Sequence, residues 1–299
     1  MSVPGFYTLR RLRKEKCRDT LEDDMTHRVA AIFLAIMSTP LSAQWLQHRD
    51  PTTPRTKGGA PNVSAPPPRA PNGTPDLSGV WAAEPSEELK RRLGTDDTNP
   101  LGADLQFISK YALNILADFK PEDEPIRPEA AGILRQRMET SGKDSPTSHC
   151  LPGGVPFSSL IAPFKIIQTP RVVVMLLEDN NPPRQIHTDR RKHPADPWPS
   201  WMGYSVGRWE GDTLIVDTIG FNDRSWLDAS GHPHGESLHI EERFWRRDFG
   251  HMDLALTIDD PKMYTKAFTV KTGYRLLPDT DVLESVCAEN EKDRIHLDR

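Results

Sequence analysis

The sequence predicts a mainly β protein, folded as an antiparallel up-and-down barrel with a helical insertion after its first strand. Short segments of strand-like composition follow one another from Phe164 onward, and turn signals such as Glu210-Gly211-Asp212 separate them. One further strand, within "DLSGVWAAE" (76–84), precedes all of these segments. A closed barrel joins the first strand to the last one and leaves no edge strand exposed.

The predicted strands after the insertion follow from the alternation of side chains and from the positions of the turns. They are Phe164–Thr169, Arg171–Glu178, Arg184–Thr188, Met202–Glu210, Thr213–Ile219, Leu238–Arg247, His251–Ile258, Phe268–Leu276 and Asp281–Cys287. In "TLIVDTIGF", Asp217 interrupts an otherwise apolar face, so it is either paired inside the fold or lines a cavity. A barrel of about eight strands can hold one small ligand.

The helical insertion is expected at about residues 86–140. The segment Leu101–Phe119 has apolar residues at helical spacing, which predicts one helix. The segment Pro128–Glu139 begins with proline, which is favoured in the first turn of a helix, and predicts a second.

The N-terminal residues read as processing and linker sequence. Residues 25–43 are typical of a signal peptide, with a charged residue, the apolar run Val29–Met37 and small residues up to Ala43. A start at Met25 gives a signal peptide of ordinary length, so we expect residues 1–24 to be a misassigned upstream extension. The alternative is a cytoplasmic protein with a small buried helix here. Proline, glycine and small polar residues dominate 44–75, which predicts a disordered linker before a single domain at 76–299. We expect a periplasmic or extracellular protein without a transmembrane segment in the mature chain.

Cysteine content and charge narrow the classes of function. Cys17 lies in the leader, and the remaining pair, Cys150 and Cys287, predicts one disulfide in an oxidising compartment. Two buried free thiols are the alternative. A net charge of −5 gives no reason to expect a nucleic acid as partner. The sequence has no phosphate-cradling loop or nucleophile elbow, so we expect no nucleotide cofactor.

The segment "GHPHGE" (231–236) is a candidate metal site. On an extended segment, His232, His234 and Glu236 point the same way, and two imidazoles with a carboxylate form a feasible ligand set for a divalent metal. The flanking glycines suggest a loop, whose histidines need have no function beyond solubility.

Further candidate residues form two groups. In "RQIHTDRRKHPADPWPSW" (184–201), cationic and aromatic side chains suit an anionic or polar aromatic ligand, although a basic surface loop is the alternative. His234, Glu241 and Asp217 are the predicted acid–base groups. Glu241 and Arg243 on one strand face are also typical of an internal structural ion pair, which is the alternative. The residues predicted to bind a ligand are Arg184, His187, His193, Trp201, Tyr204, Trp226, His239 and Arg243.

Several motifs carry a resemblance. The segments "PDLSGVW", "CLPGGVP", "RQIHTDRRKHP", "VGRWEGDTLIVDTIGFNDRSWLD" and "GHPHGESLHIEERFWRRDFGHM" are similar to a family of uncharacterised secreted proteins of soil bacteria, over roughly residues 71–293. The Gly-x-Trp at Gly79 and Trp81 also resembles the opening of lipocalins and other calycins. The resemblance implies a calycin-like barrel, and the insertion after Trp81 departs from a plain lipocalin.

Three functions are compatible with this sequence. The first is a secreted, lipocalin-like protein that binds a small, mostly apolar molecule in a barrel cavity. The alternative is an extracytoplasmic metal- or histidine-dependent hydrolase, lyase or isomerase that uses the region of His232, His234 and Glu236. The third is a structural or interaction protein of the cell envelope. Fold class alone does not choose among them.

Overall fold

The computed structural model describes residues 49–84 and 107–290, and it confirms the predicted β-barrel. Nine strands close into one barrel in the order of the chain. They are β1 (Gly79–Ala83), β2 (Phe164–Gln168), β3 (Val172–Leu177), β4 (Arg184–His187), β5 (Tyr204–Glu210), β6 (Thr213–Ile219), β7 (His239–Arg246), β8 (His251–Asp259) and β9 (Phe268–Leu276). The first and last strands pair directly, with Trp81 opposite Leu276.

One strand pair differs from the up-and-down pattern. Strands β4 and β5 are parallel, whereas every other neighbouring pair in the barrel is antiparallel. A parallel pair requires a crossover connection, and residues 188–203 provide one. This segment contains Pro194, Pro197 and Pro199, whose rings limit its own pairing.

The inner face of the barrel is packed with side chains. Phe164, Met175, Phe244, Leu254 and Tyr274 belong to one buried hydrophobic cluster that draws on strands all around the barrel. A buried ion pair lies among them, in which Arg184 on β4 donates to both carboxylate oxygens of Glu242 on β7. The same guanidinium donates to the hydroxyl groups of Ser205 and Thr218, so its charge is fully partnered.

Within the described residues, three helices lie between β1 and β2 in the chain, and a fourth follows β9. They are α1 (Lys110–Leu113), α2 (Pro128–Glu139), α3 (Phe157–Ile161) and α4 (Cys287–Asn290), with 3-10 turns at Pro121–Asp123 and Pro146–His149. The prediction of a helix at Pro128–Glu139 is confirmed. The helix predicted at Leu101–Phe119 is shorter than expected, since only α1 is helical within the described part of that segment.

The predicted strand at Asp281–Cys287 is wrong. The segment has irregular structure, and its last residue begins α4. Its charged residues suit solvent better than a barrel wall, and Asp281 forms an ion pair with Lys165 on β2. The barrel is closed without it, because β9 pairs with β1.

The segment expected to be a disordered linker lies against the barrel where the structure describes it, from residue 49 onward. Arg55 forms a salt bridge with Asp279, and Arg69 forms one with Asp212. The backbone carbonyl of Val63 accepts a hydrogen bond from the amide of Gly250. Composition missed this packing because the segment is held by backbone and ionic contacts, with few apolar side chains.

The predicted disulfide is confirmed. Cys150 and Cys287 are bonded, with their Cα atoms 5.4 Å apart. The bond ties the chain after β9 to the segment that follows the 3-10 turn at Pro146–His149. Separately, none of the helices in the described ranges is long and apolar enough to cross a membrane.

Candidate functional site

A groove of about 420 Å³ lies beside α2 and the loop that follows β6. Helix α2 contributes Gln136 and Arg137 to its lining, and the 144–151 segment contributes polar groups that include His149. The opposite lining comes from Trp201 in the crossover and from residues of the loop 220–238. We call it the end groove. Its volume falls within the range of small-molecule sites in proteins.

Two stacked pairs of arginine and tryptophan line the end groove. The guanidinium of Arg137 lies 4.7 Å from the ring centre of Trp226, and that of Arg224 lies 4.9 Å from Trp201. Burial lowers the pKa of Arg137 from its usual value, and its Nη1 donates to the carbonyl of Gly231. Both tryptophans were predicted to bind a ligand, and the structure places both in this one groove.

A serine and a histidine meet behind the groove. Ser225 lies between Arg224 and Trp226 in the chain, and its side chain is buried. Its Oγ is 2.7 Å from Nε2 of His234, while Nδ1 of His234 is 3.2 Å from the carbonyl oxygen of Gly235. Desolvation by burial lowers the pKa of His234. His234 was predicted as an acid–base group, and the structure gives it a hydroxyl partner.

The predicted metal ligands are not brought together. Nδ1 of His232 pairs with Asp228 at 2.5 Å, His234 pairs with Ser225, and Glu236 is exposed. Residues 49–84 and 107–290 contain no group of three or more histidine, cysteine, aspartate or glutamate side chains placed to hold a metal ion. The alternation expected of an extended segment does not apply, because residues 229–238 form an irregular loop.

Another set of predicted residues meets on the outer wall. The carboxylate of Asp217 on β6 is 2.6 Å from Nε2 of His193 and 2.9 Å from Nε2 of His239. Burial opposes ionisation of Asp217, but the hydrogen bonds from His239 and His193 outweigh it and lower the pKa of the carboxyl group. The rings of His193 and His187 both contact Tyr204. His193 and His239 thus hold the carboxylate of Asp217, and Tyr204 links His193 to a neighbouring polar group. The members of that group are His187, Asp189 and Arg191.

The remaining predicted residues lie elsewhere. Arg184 is inside the barrel and is paired with Glu242, so it is separated from both polar sites. Arg243 pairs with Glu241 at 2.8 Å and with Glu210 at 3.3 Å on the outer surface. Glu241 and Arg243 thus form the ion pair that the sequence left open as an alternative, but it lies on the outer surface and not inside the fold.

Sequence reasoning missed Ser225, Arg137 and Arg224. Ser225 stands in "FNDRSWLD", which has no elbow motif, and it meets His234 only because the loop folds back on itself. Arg137 lies far from the loop in the chain and reaches it from α2. No periodic signal marks residues that a loop and a distant helix bring together.

The comparisons with known proteins give no relative that could assign a function to this site. The chain matches no protein-family model, no curated protein and no solved structure. The resemblance to a secreted family of soil bacteria therefore stays a prediction.

Proposed function

We propose that the protein binds a small organic molecule in the end groove, and that this molecule has a flat apolar body and an anionic group. The observation that carries the proposal is the pair of arginine–tryptophan stacks, Arg137 on Trp226 and Arg224 on Trp201. Indole faces bind planar apolar groups, and guanidinium groups bind carboxylates in a directed way.

The two arginines of the groove retain hydrogen-bond donors for an anionic ligand. Within the described ranges, neither Arg137 nor Arg224 forms a salt bridge with a carboxylate. Two aspartates, Asp144 and Asp223, also line the groove, so the anionic group of the ligand must lie beside an arginine and away from these carboxylates. An arginine that is stacked but not ion-paired retains donors for a ligand.

The end groove replaces the barrel cavity as the proposed site. The inner face carries large side chains such as Phe164, Phe244 and Tyr274, together with the Arg184–Glu242 pair. A mostly apolar ligand in the barrel would have to displace this packing, and a ligand in the groove would not. The barrel then acts as the rigid support of a binding site formed by loops.

Export of the protein forms part of the proposal. The disulfide between Cys150 and Cys287 supports it, because such bonds persist in oxidising compartments. Cys150 stands between His149 and Leu151, which both line the end groove, so the bond fixes one wall of the site.

Isothermal titration of the full-length protein with 2-naphthoate tests this proposal. We expect binding, and we expect the neutral 2-naphthamide to bind roughly 10- to 100-fold more weakly, because a hydrogen bond to a charged group contributes about 1.5–3 kcal/mol. Trp201→Ala and Arg224→Ala should each weaken binding. Trp198→Ala is the matched control, since this tryptophan is 89% exposed and does not line the groove. Equal affinity of all variants for 2-naphthoate, or no binding at all, would overturn the proposal.

A further inference from the structure

We infer that Ser225 and His234 form a nucleophile–base pair that hydrolyses a small carboxylic ester held in the end groove. The inference rests on the proposed function, since the groove must receive the substrate. It assigns to Ser225 a role in chemistry that binding alone does not require.

The hydrogen bonds of His234 fix which ring nitrogen carries the proton. The carbonyl oxygen of Gly235 can only accept a hydrogen bond, so Nδ1 of His234 carries the proton and donates it. Burial lowers the pKa of His234, so the ring is neutral near pH 7 and Nε2 has a free lone pair. Nε2 therefore accepts from the hydroxyl of Ser225. A serine that donates to a neutral imidazole is arranged for removal of its proton.

The loop around His234 is held in place by backbone contacts to two carboxylates. Asp228 accepts from the amides of Gly231 and His232, and it also accepts from the amide of Ile115. Asp260 accepts from the amide of Gly235, the residue whose carbonyl orients the imidazole. These hydrogen bonds fix the backbone before and after His234, so its ring keeps its alignment to Ser225. Acid–base catalysis requires such an alignment.

The position of Ser225 connects the pair to the groove. Its neighbours Arg224 and Trp226 both line the groove, as does Trp201. Gly154 lies against Ser225, and a Cβ atom there would be 2.8 Å from Ser225 Oγ and 3.0 Å from the backbone oxygen of Trp201. Ser225 Oγ therefore lies close to Gly154, which in turn lies close to the backbone of Trp201 in the groove wall. Ser225 is only 1% exposed, so side chains around it must move before a substrate can reach its hydroxyl.

The reaction balances with the groups present. Ser225 Oγ forms a bond to the ester carbonyl carbon while its proton passes to Nε2 of His234. The alcohol leaves with that proton when the C–O bond breaks, and an acyl-serine remains. Water then adds to the acyl carbon, His234 takes a proton from it, and the carboxylic acid is released as the proton returns to Oγ. No oxidant, reductant or metal is required.

The substrate class follows from the groove. An aryl ester that carries a carboxylate, such as 4-acetoxybenzoate, has a flat ring for the indoles and an anionic group for an arginine. The full-length protein should hydrolyse it to 4-hydroxybenzoate and acetate. Phenylmethylsulfonyl fluoride, which modifies activated serines with loss of fluoride, should form one adduct, and peptide mapping should place it on Ser225.

Two variants separate chemistry from folding. Ser225→Ala should lower hydrolysis by roughly 100-fold or more, since removal of a nucleophile abolishes the covalent route. It should still bind 2-naphthoate, which shows that the groove is intact. Ser158→Ala is the matched control, because Ser158 is equally buried. This variant should keep both hydrolysis and the adduct.

The outcomes distinguish this inference from the proposed function. If 2-naphthoate binds but Ser225 stays unmodified, or Ser225→Ala hydrolyses the ester at the wild-type rate, the nucleophile–base inference is overturned and the binding site stands. If Ser225 is modified but 2-naphthoate does not bind, the anionic ligand is wrong and the chemistry of Ser225 stands.

Discussion

Replacing Glu242 with glutamine should destabilise the barrel by about 3–5 kcal/mol, because it leaves a buried positive charge without its counterion. Arg184 is 2% exposed and Glu242 is 0% exposed, and the guanidinium donates to both carboxylate oxygens. The amide of glutamine has one oxygen and no charge, so it cannot replace this contact. Ser205 and Thr218 remain as neutral partners of Arg184, which argues for the lower half of the range.

The assay is thermal unfolding followed by circular dichroism. For a domain of this size, 1 kcal/mol corresponds to a shift of about 2–4 °C, so a loss of about 3–4 kcal/mol should lower Tm by roughly 6–16 °C. Glu241→Gln is the matched control on the same strand. Glu241 faces the surface and pairs with Arg243, and a surface pair contributes only about 0–1 kcal/mol.

A double variant that removes both charges tests whether the unpaired charge causes the loss of stability. Arg184→Met with Glu242→Leu removes both charges and leaves the hydroxyl groups of Ser205 and Thr218 bonded to each other at 2.9 Å. We expect its stability to lie close to that of the wild type, since apolar replacement of a buried ion pair is often neutral or stabilising. The reasoning is refuted if Glu242→Gln unfolds within 2 °C of the wild type, or if the double variant is less stable than the single one.

Three further predictions concern titration and the disulfide. The pKa of Asp217 is lowered in the folded state. Its contribution to stability is therefore present above the unfolded pKa near 3.9 and is lost as pH falls through the folded pKa. The urea concentration at the unfolding midpoint should drop more steeply at acid pH for the wild type than for Asp217→Asn. The pKa of His234 should lie below its usual value near 6.5, because desolvation outweighs the raising effects of Gly235 and Asp260. An NMR titration in which its ring resonances move with a midpoint above 6.5 would contradict this. Reduction of the Cys150–Cys287 bond should lower the free energy of unfolding by about 2–5 kcal/mol, as expected for a long closed loop, and identical urea midpoints with and without reductant would argue against a stabilising role.

The strands could be predicted because their signals are local. Side chains alternate along "DLALTI", and Gly211 and Gly250 mark turns between strands, so the bounds of β6, β8 and β9 lie within a residue of prediction. The parallel pairing of β4 and β5 has no such signal, since it depends on where the crossover returns. The packing of residues 49–75 was missed for a related reason, because Arg55 and Arg69 find their partners far away in the chain.

The site was predicted only in part. Trp201, Trp226 and His234 were chosen from residue type, and the structure places them in or behind the end groove. Their partners Arg137 and Ser225 carry no motif, and a single sequence does not show that α2 lies over the loop. His232 and Glu236 were expected to share a face with His234, but a loop has no fixed alternation.

The junction between β4 and β5 has a consequence for how the barrel opens. Its backbone register holds only two residue pairs, Ile186 with Ser205 and His187 with Val206, whereas β7 and β8 share eight. The hydrogen bond from Arg184 to Ser205 crosses this same junction. A hydrogen bond between side chains thus helps to keep the barrel closed at the junction where the fewest residues pair. Transient separation of these two strands would admit water to the buried charges first, and amide hydrogen exchange should begin there, ahead of the rest of the wall.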